Sequence, residues 1–207
     1  MASDSIFADR FESGALSARS ASVTDSGDLC VSTSAALVGS YGLQVDIAIY
    51  LTDDRPSAET RYRARFYFYS NSMLMTNSDA HYIFYGYSGA STVVLGLQFR
   101  RSSGAYQLQA ALLNDSTSWT NSGRFTLSDT PHVIEFDWRA STAAGANNGR
   151  LTLWIDGTQR ADLIGVDNDT RRIDRVRLGA VSAIDKGTRG RYSFDAFVSR
   201  RTTYIGP

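Results

Sequence analysis

Apolar side chains recur at every second position through most of this chain, and that period constrains its fold more than any other feature. From Arg61 to Tyr69 the alternation is clean. Tyr62, Ala64, Phe66 and Phe68 share one side; Arg61, Arg63, Arg65, Tyr67 and Tyr69 share the other. Successive strand side chains point to opposite faces, so this pattern fits a half-buried strand and not a helix. The same period predicts strands over Ile6–Glu12, Leu29–Ser32, Gly42–Leu51, His81–Tyr87, Thr92–Arg101, Tyr106–Leu113, His132–Ala140, Arg150–Ile155, Gln159–Leu163, Ile173–Ala180 and Tyr192–Ser199. Asp156-Gly157-Thr158 reads as a hairpin turn, because Gly tolerates the positive φ such turns need. Regular short strands with no helical stripe between them predict an all-β fold, a two-sheet antiparallel β-sandwich forming one domain over 1–207.

Charge and composition narrow the function. The 21 basic and 21 acidic side chains cancel, which argues against a general nucleic-acid binder. At 43% hydrophobic the chain can bury a core. No apolar run approaches the roughly 18 residues of a membrane helix, so no membrane insertion is expected. Cys30 is alone, so no intrachain disulfide can form, and a small buried hydrophobe is its expected role. MASDSIFADRF lacks the pattern of a signal peptide, which leaves a cytoplasmic protein or one without its leader. Every basic residue but Lys186 is Arg, and with many Ser, Thr, Gly and Tyr this suits an extracellular or cell-surface protein.

Two stretches carry a family resemblance. The segment HVIEFDWRASTAAGANNGRLTLWIDGTQRADLIG, His132 to Gly165, joins a Trp-ending strand, a Gly/Asn-rich loop and an Asp-Gly hairpin. The second stretch is the pair of chain ends, FADRFESG from Phe7 to Gly14 and RYSFDAFVSRRTTYIG from Arg191 to Gly206. Together they resemble a laminin G-like jelly roll of the concanavalin A-like lectin/glucanase superfamily, common in bacterial surface and secreted proteins. The resemblance implies a carbohydrate-binding or adhesive module. It also implies a structural calcium ion between the first and last strands, held by Glu12 and Asp195 with Asp9 as a third carboxylate. Calcium takes six to eight oxygens, which suits carboxylates beside a turn. The family often has two acids after the Phe, whereas Ala196 follows Asp195 here. Asp167-Asn168-Asp169-Thr170 lacks the Gly and distal Glu of a calcium loop and reads as a solvated turn.

The superfamily's glucanases use an E-x-D-x-(x)-E strand. Here Glu135 and Asp137 fit, but Arg139 stands where the second Glu would be, and Arg cannot act as a carboxylic acid. His81 reads as a strand opening and His132 as a hydrogen-bonded structural histidine. No catalysis is expected.

A hairpin loop centred between Ala144 and Gly145 puts Glu135 opposite Trp154. If Ile134, Phe136 and Trp138 face the core, then Glu135, Asp137, Arg139, Arg150 and Trp154 face outward. The same alternation turns Arg63, Arg65, Tyr67, Gln98, Arg100, Gln107 and Gln109 outward. One shared face carrying these groups would bind a glycan or surface polysaccharide, with aromatic rings stacking on sugar and planar polar groups meeting hydroxyls. Trp119, in a polar segment, is a further candidate contact, although packing onto the core is the simpler expectation. The alternative is a self-assembling subunit that binds itself or another surface protein, since Arg and aromatic groups also dominate protein interfaces.

Overall fold

The computed structural model describes residues 3–207. In chain order its strands are β1 (Ser5–Asp9), β2 (Ala21–Val23), β3 (Leu29–Ser32), β4 (Gly42–Val45), β5 (Tyr50–Asp53), β6 (Arg61–Tyr69), β7 (Ala80–Ser88), β8 (Thr92–Ser102), β9 (Ala105–Leu113), β10 (Trp119–Asn121), β11 (Phe125–Leu127), β12 (His132–Arg139), β13 (Gly149–Ile155), β14 (Thr158–Val166), β15 (Arg175–Ser182) and β16 (Tyr192–Arg200). They form two antiparallel sheets packed as a sandwich. Sheet A runs β14-β13-β12-β6-β16-β4-β3, with β1 also paired to β16. Sheet B runs β10-β9-β8-β7-β15-β5-β2, with β11 paired to β9.

The alternation places the core between the sheets. Phe66 of β6 stacks on Phe84 of β7, with ring centroids 6.1 Å apart. Phe68 meets Phe99 of β8 edge-on at 5.2 Å, and Phe136 of β12 lies 4.9 Å from Phe84. Each such pair contributes about 0.5–1.5 kcal/mol beyond the area it buries. Trp138 and Tyr62 are fully buried on the same inner side of sheet A.

Three expectations change. The run from Gly42 to Leu51 is two strands, because the chain leaves sheet A after Val45 and enters sheet B at Tyr50, turning at Ala48 with a φ of +63°. The first strand ends at Asp9 and does not reach Glu12. Phe11 takes a φ of +60°, and its amide donates to Asp9 Oδ1 at 2.8 Å. Cys30 is only half-buried, near the edge of sheet A. Among the described residues no helix is long and apolar enough to cross a membrane.

Candidate functional site

The hairpin register is as the sequence implies: Glu135 pairs with Trp154, and Asp137 with Thr152. On the other side of β12, Asp137 faces Arg63 and Glu135 faces Arg65 of β6. The outer face of sheet A therefore gathers Arg63, Arg65, Tyr67, Glu135, Asp137, Arg139, Arg150 and Trp154. It is not open. Arg63 is buried and donates to Glu135 Oε1 at 2.7 Å and Asp137 Oδ2 at 2.8 Å. Arg61 forks onto both oxygens of Asp137, at 2.9 and 2.8 Å, and Arg139 adds a bond of 2.7 Å. Burial pushes the Asp137 carboxyl up, but the bonds from Arg61 and Arg139 and the charge of Arg63 outweigh it and hold the group below the usual carboxylate range. Arg150 pairs with Asp162 of β14 through two 2.6 Å bonds.

The C-terminal residues then cover this face. The amides of Ile205 and Gly206 donate to the Glu135 carboxylate at 3.0 and 2.9 Å. Tyr204 rests against Trp154, and the Arg63 guanidinium lies 5.0 Å from the Trp154 ring centre and 5.3 Å from that of Tyr204. Of the two acids expected to meet a ligand, Glu135 instead holds the chain's own backbone and Asp137 holds arginines.

Gln98 and Arg100 do not belong to that face. They are on β8, in sheet B, with Gln107 and Gln109 beside them on β9. There they border an unexpected feature, a row of tyrosines. The rings of Tyr82 and Tyr85 are 4.7 Å apart, and Tyr85 and Tyr87 are 5.9 Å apart. Gly96 pairs with Tyr85, and Gln98 with Tyr82. A Cβ on Gly96 would approach the two rings to 3.1 and 3.4 Å, so the glycine lets them lie close to the sheet. Arg177 of β15 sits over Tyr50 at 4.5 Å and donates to the Tyr87 hydroxyl at 3.2 Å. Burial pushes the Tyr85 hydroxyl up to about 12, so it stays protonated at neutral pH. Trp119 does not pack inward: it is 42% exposed on β10, at the edge of the same sheet.

A cleft of about 380 Å³ opens where β6 begins and β12 ends. Thr60, Arg61, Arg139, Ala140, Ser141, Thr142 and Arg172 line it. Buried Asn168 shapes its wall, accepting from the Ser141 amide at 2.7 Å and donating to the Arg139 carbonyl at 3.3 Å. Arg172 donates to the carbonyls of Asp169 and Arg171, at 2.5 and 2.6 Å.

The carboxylates expected at the joined termini do not converge as a set of three. Asp9 turns to buried Arg19, at 3.1 Å. Asp195 accepts from the amides of Leu37, Val38 and Ala196 at 2.9, 2.9 and 2.6 Å. Glu12 accepts from those of Ser40 and Tyr41. Their oxygens face N–H donors, where calcium would want further oxygens, so this geometry does not fit the ion. Burial, with the charge of Glu12, raises the Asp195 carboxyl despite its three amide donors. Among the described residues the carboxylates with metal-like spacing are Asp115, Asp167 and Asp169, with oxygens within 4.8 Å of one another. The expected solvated turn thus meets a third acid from the loop between β9 and β10. Thr170 and Arg171 already bond to Asp115.

The histidines differ from each other. His81 is fully buried, against its expected place as a plain strand opening. Its Nε2 and the Tyr192 hydroxyl share a hydrogen bond, its Nδ1 has no partner among the described residues, and burial lowers it to about 4. His132 is hydrogen-bonded as expected. Its Nδ1 meets Asp156 Oδ2 at 2.7 Å, and its Nε2 meets the Ser128 hydroxyl at 3.0 Å and the Ser128 carbonyl at 3.2 Å. A Ser128–His132–Asp156 chain of contacts is thus present, in which the donor and acceptor roles follow the tautomer of His132.

No family model matches the chain, and no curated protein does. Solved structures do. Alginate lyase Aly36B superposes with a TM-score of 0.62 at 12% identity, covering 98% of this chain and 95% of that one. The receptor-binding domain of botulinum neurotoxin C/D mosaic serotype gives 0.63 at 12%, covering 98% of this chain and 49% of that one. The botulinum neurotoxin serotype D ligand-binding domain, solved with N-acetylneuraminic acid, gives 0.57 at 10%, covering 88% and 42%. The chain spans about half the length, or less, of these toxin fragments. At such identities the likeness concerns the fold.

Proposed function

We propose that this β-sandwich is a non-catalytic carbohydrate-binding or adhesion module of the cell exterior, and that glycan docks on the outer face of sheet B. The carrying observation is the part-exposed Tyr82–Tyr85 pair over Gly96, backed by buried Tyr87 and bordered by Gln98, Gln109 and Arg177. Aromatic faces stack on the apolar side of a sugar ring, while amide and guanidinium groups meet its hydroxyls. Trp119 extends this surface at the sheet edge. The neighbours support the reading, since one was solved with a sialic acid and another is named for alginate. The non-catalytic part rests on the chemistry available. Glu135 and Asp137 are tied up by arginines, and Tyr85 is a donor and a poor base at neutral pH.

A glycan array with wild type, Tyr85→Ala and Trp154→Ala tests this. Glycan signal lost in Tyr85→Ala and kept in Trp154→Ala is the expected result. Signal lost only in Trp154→Ala moves the site to sheet A, and glycan cleavage by the purified protein overturns the non-catalytic reading.

One observation favours the alternative of a self-assembling subunit. β14 is a nine-residue edge strand carrying Ile164, which is 67% exposed. Exposed edges pair readily with further chains. A discrete oligomer by mass photometry, without glycan signal, would favour assembly.

A further inference from the structure

The cleft between β6 and β12 is rich in positive charge. Arg61 and Arg139 both spend their charge on one carboxylate, Asp137, which Arg63 also contacts. Three guanidiniums therefore share a single Asp137, with Glu135 taking part of Arg63 alone. Arg172, opposite, is held by two backbone carbonyls and meets no carboxylate within salt-bridge distance among the described residues. Backbone tethering fixes its position without neutralising it. The Arg139 side chain is 40% exposed and the Arg61 side chain 26%. Thr60, Ala140, Ser141 and Thr142 line the remaining wall, with the Ser141 and Thr142 hydroxyls bonded to the Asn148 side chain. A site with fixed positive charge and polar walls selects an anion.

We propose that this cleft binds the carboxylate of an acidic sugar, with Arg172 and Arg139 as its principal contacts. The inference rests on the glycan-binding reading and adds a substrate class to it. A guanidinium presents two parallel N–H groups that match the two oxygens of a carboxylate, whereas a neutral sugar leaves the arginines unanswered. At about 380 Å³ the cleft has the size of one small-ligand site, which suits a single sugar residue and not a long chain. A longer acidic glycan would place one residue here and the rest elsewhere on the surface.

The test is calorimetry on the full chain, with an alginate hexasaccharide, the same oligosaccharide after chemical reduction of its carboxyl groups, and a carrageenan hexasaccharide, which carries sulfates and no carboxylate. The acidic alginate oligomer is expected to bind about tenfold or more tightly than its reduced form. Arg172→Gln should erase that difference and Arg172→Lys keep part of it. Thr142→Glu, which puts a negative charge at the exposed mouth, should also erase it without touching an arginine. Tyr85→Ala should weaken the acidic and reduced forms alike. Equal binding of the two forms, or an acidic preference untouched by both Arg172→Gln and Thr142→Glu, overturns the carboxylate site while Tyr85-dependent binding stands. Binding confined to the sulfated oligomer overturns the choice of carboxylate. No binding of any oligomer sinks the glycan reading and the subsite together.

Discussion

Tyr204 lies against Trp154 with ring centroids 5.7 Å apart, and through that contact residues 204–206 cover Arg63 and Glu135 on the outer face of sheet A. The next two amides complete the seal on Glu135. Arg63, wedged between the aromatic pair and the acids, is thereby kept from water. A face made of charged and aromatic groups thus behaves as a second, polar core.

Opening the seal should be measurable. Tyr204→Ala removes the ring over Trp154 and lets water reach Arg63 and Glu135. Unfolding free energy should fall by about 1 kcal/mol, the scale of the lost aromatic and cation–π contacts. Trp154 emission should shift to longer wavelength. An unchanged denaturation midpoint with unchanged emission would show that the tail does not hold this face.

The arginine network beneath should be far more sensitive. Asp137 answers Arg61, Arg63 and Arg139 at once. Asp137→Asn keeps the shape but leaves Arg61 and Arg139 without a counter-charge and Arg63 with Glu135 alone. Removing one partner of a buried ion pair costs about 3–5 kcal/mol. Urea denaturation should therefore show a large drop for Asp137→Asn and a smaller one for Arg150→Gln, whose partner Asp162 is part-exposed. Similar effects for the two would contradict a buried network.

How much of this was legible in the sequence follows from what a period of two can say. Parity puts Arg63, Glu135 and Trp154 on outward positions of their strands, and the loop centred between Ala144 and Gly145 sets the register of Glu135 to Trp154. Parity does not say which sheet a strand joins. Gln98 and Arg100 were therefore grouped with Arg63, although β8 lies in the opposite sheet. The tyrosine row was readable as residues, since Tyr82, Tyr85 and Tyr87 sit close in sequence, but bulges in β7 break the strict alternation that would have put them together. The tail from Thr202 to Pro207 has no period, so nothing in its sequence points to Glu135. Asp115 reaches Asp167 and Asp169 only through tertiary folding.

The tyrosine platform carries its own steric test. Gly96→Val puts branched carbons where Tyr82 and Tyr85 already approach a bare Cβ to 3.1–3.4 Å. The rings must tilt off the sheet. Glycan affinity should drop about tenfold or more, with a stability loss of about 1–3 kcal/mol typical of overpacking. Retained affinity alongside a reduced melting temperature would detach the rings from binding.

Asp195 and Glu12 separate two accounts of the joined termini. If amide donors satisfy them, excess EDTA leaves the melting curve unchanged. Asp195→Asn, by contrast, turns an amide toward the Leu37, Val38 or Ala196 N–H and costs about 1–3 kcal/mol. A melting temperature that falls with EDTA and recovers with calcium restores the calcium expectation.

The last prediction concerns pH. His81 is buried between Phe99 and Tyr192, and burial lowers it from 6.5 to about 4, while the charges of Asp185 and Asp79 oppose the shift only in part. The unfolded chain then binds a proton at a pH where the folded chain does not. The stability His81 allows is complete above about pH 6.5, declines as pH falls toward 4, and levels off below that. A shift of this size corresponds to about 3 kcal/mol across the window. His81→Gln retains an acceptor for the Tyr192 hydroxyl but does not titrate. It should be less stable than wild type at pH 7.5, because a flexible amide replaces a packed ring, yet lose less on acidification. Guanidinium denaturation at pH 7.5, 5.5 and 4.5 would show the two curves converging. Parallel curves would mean that other groups govern the acid sensitivity.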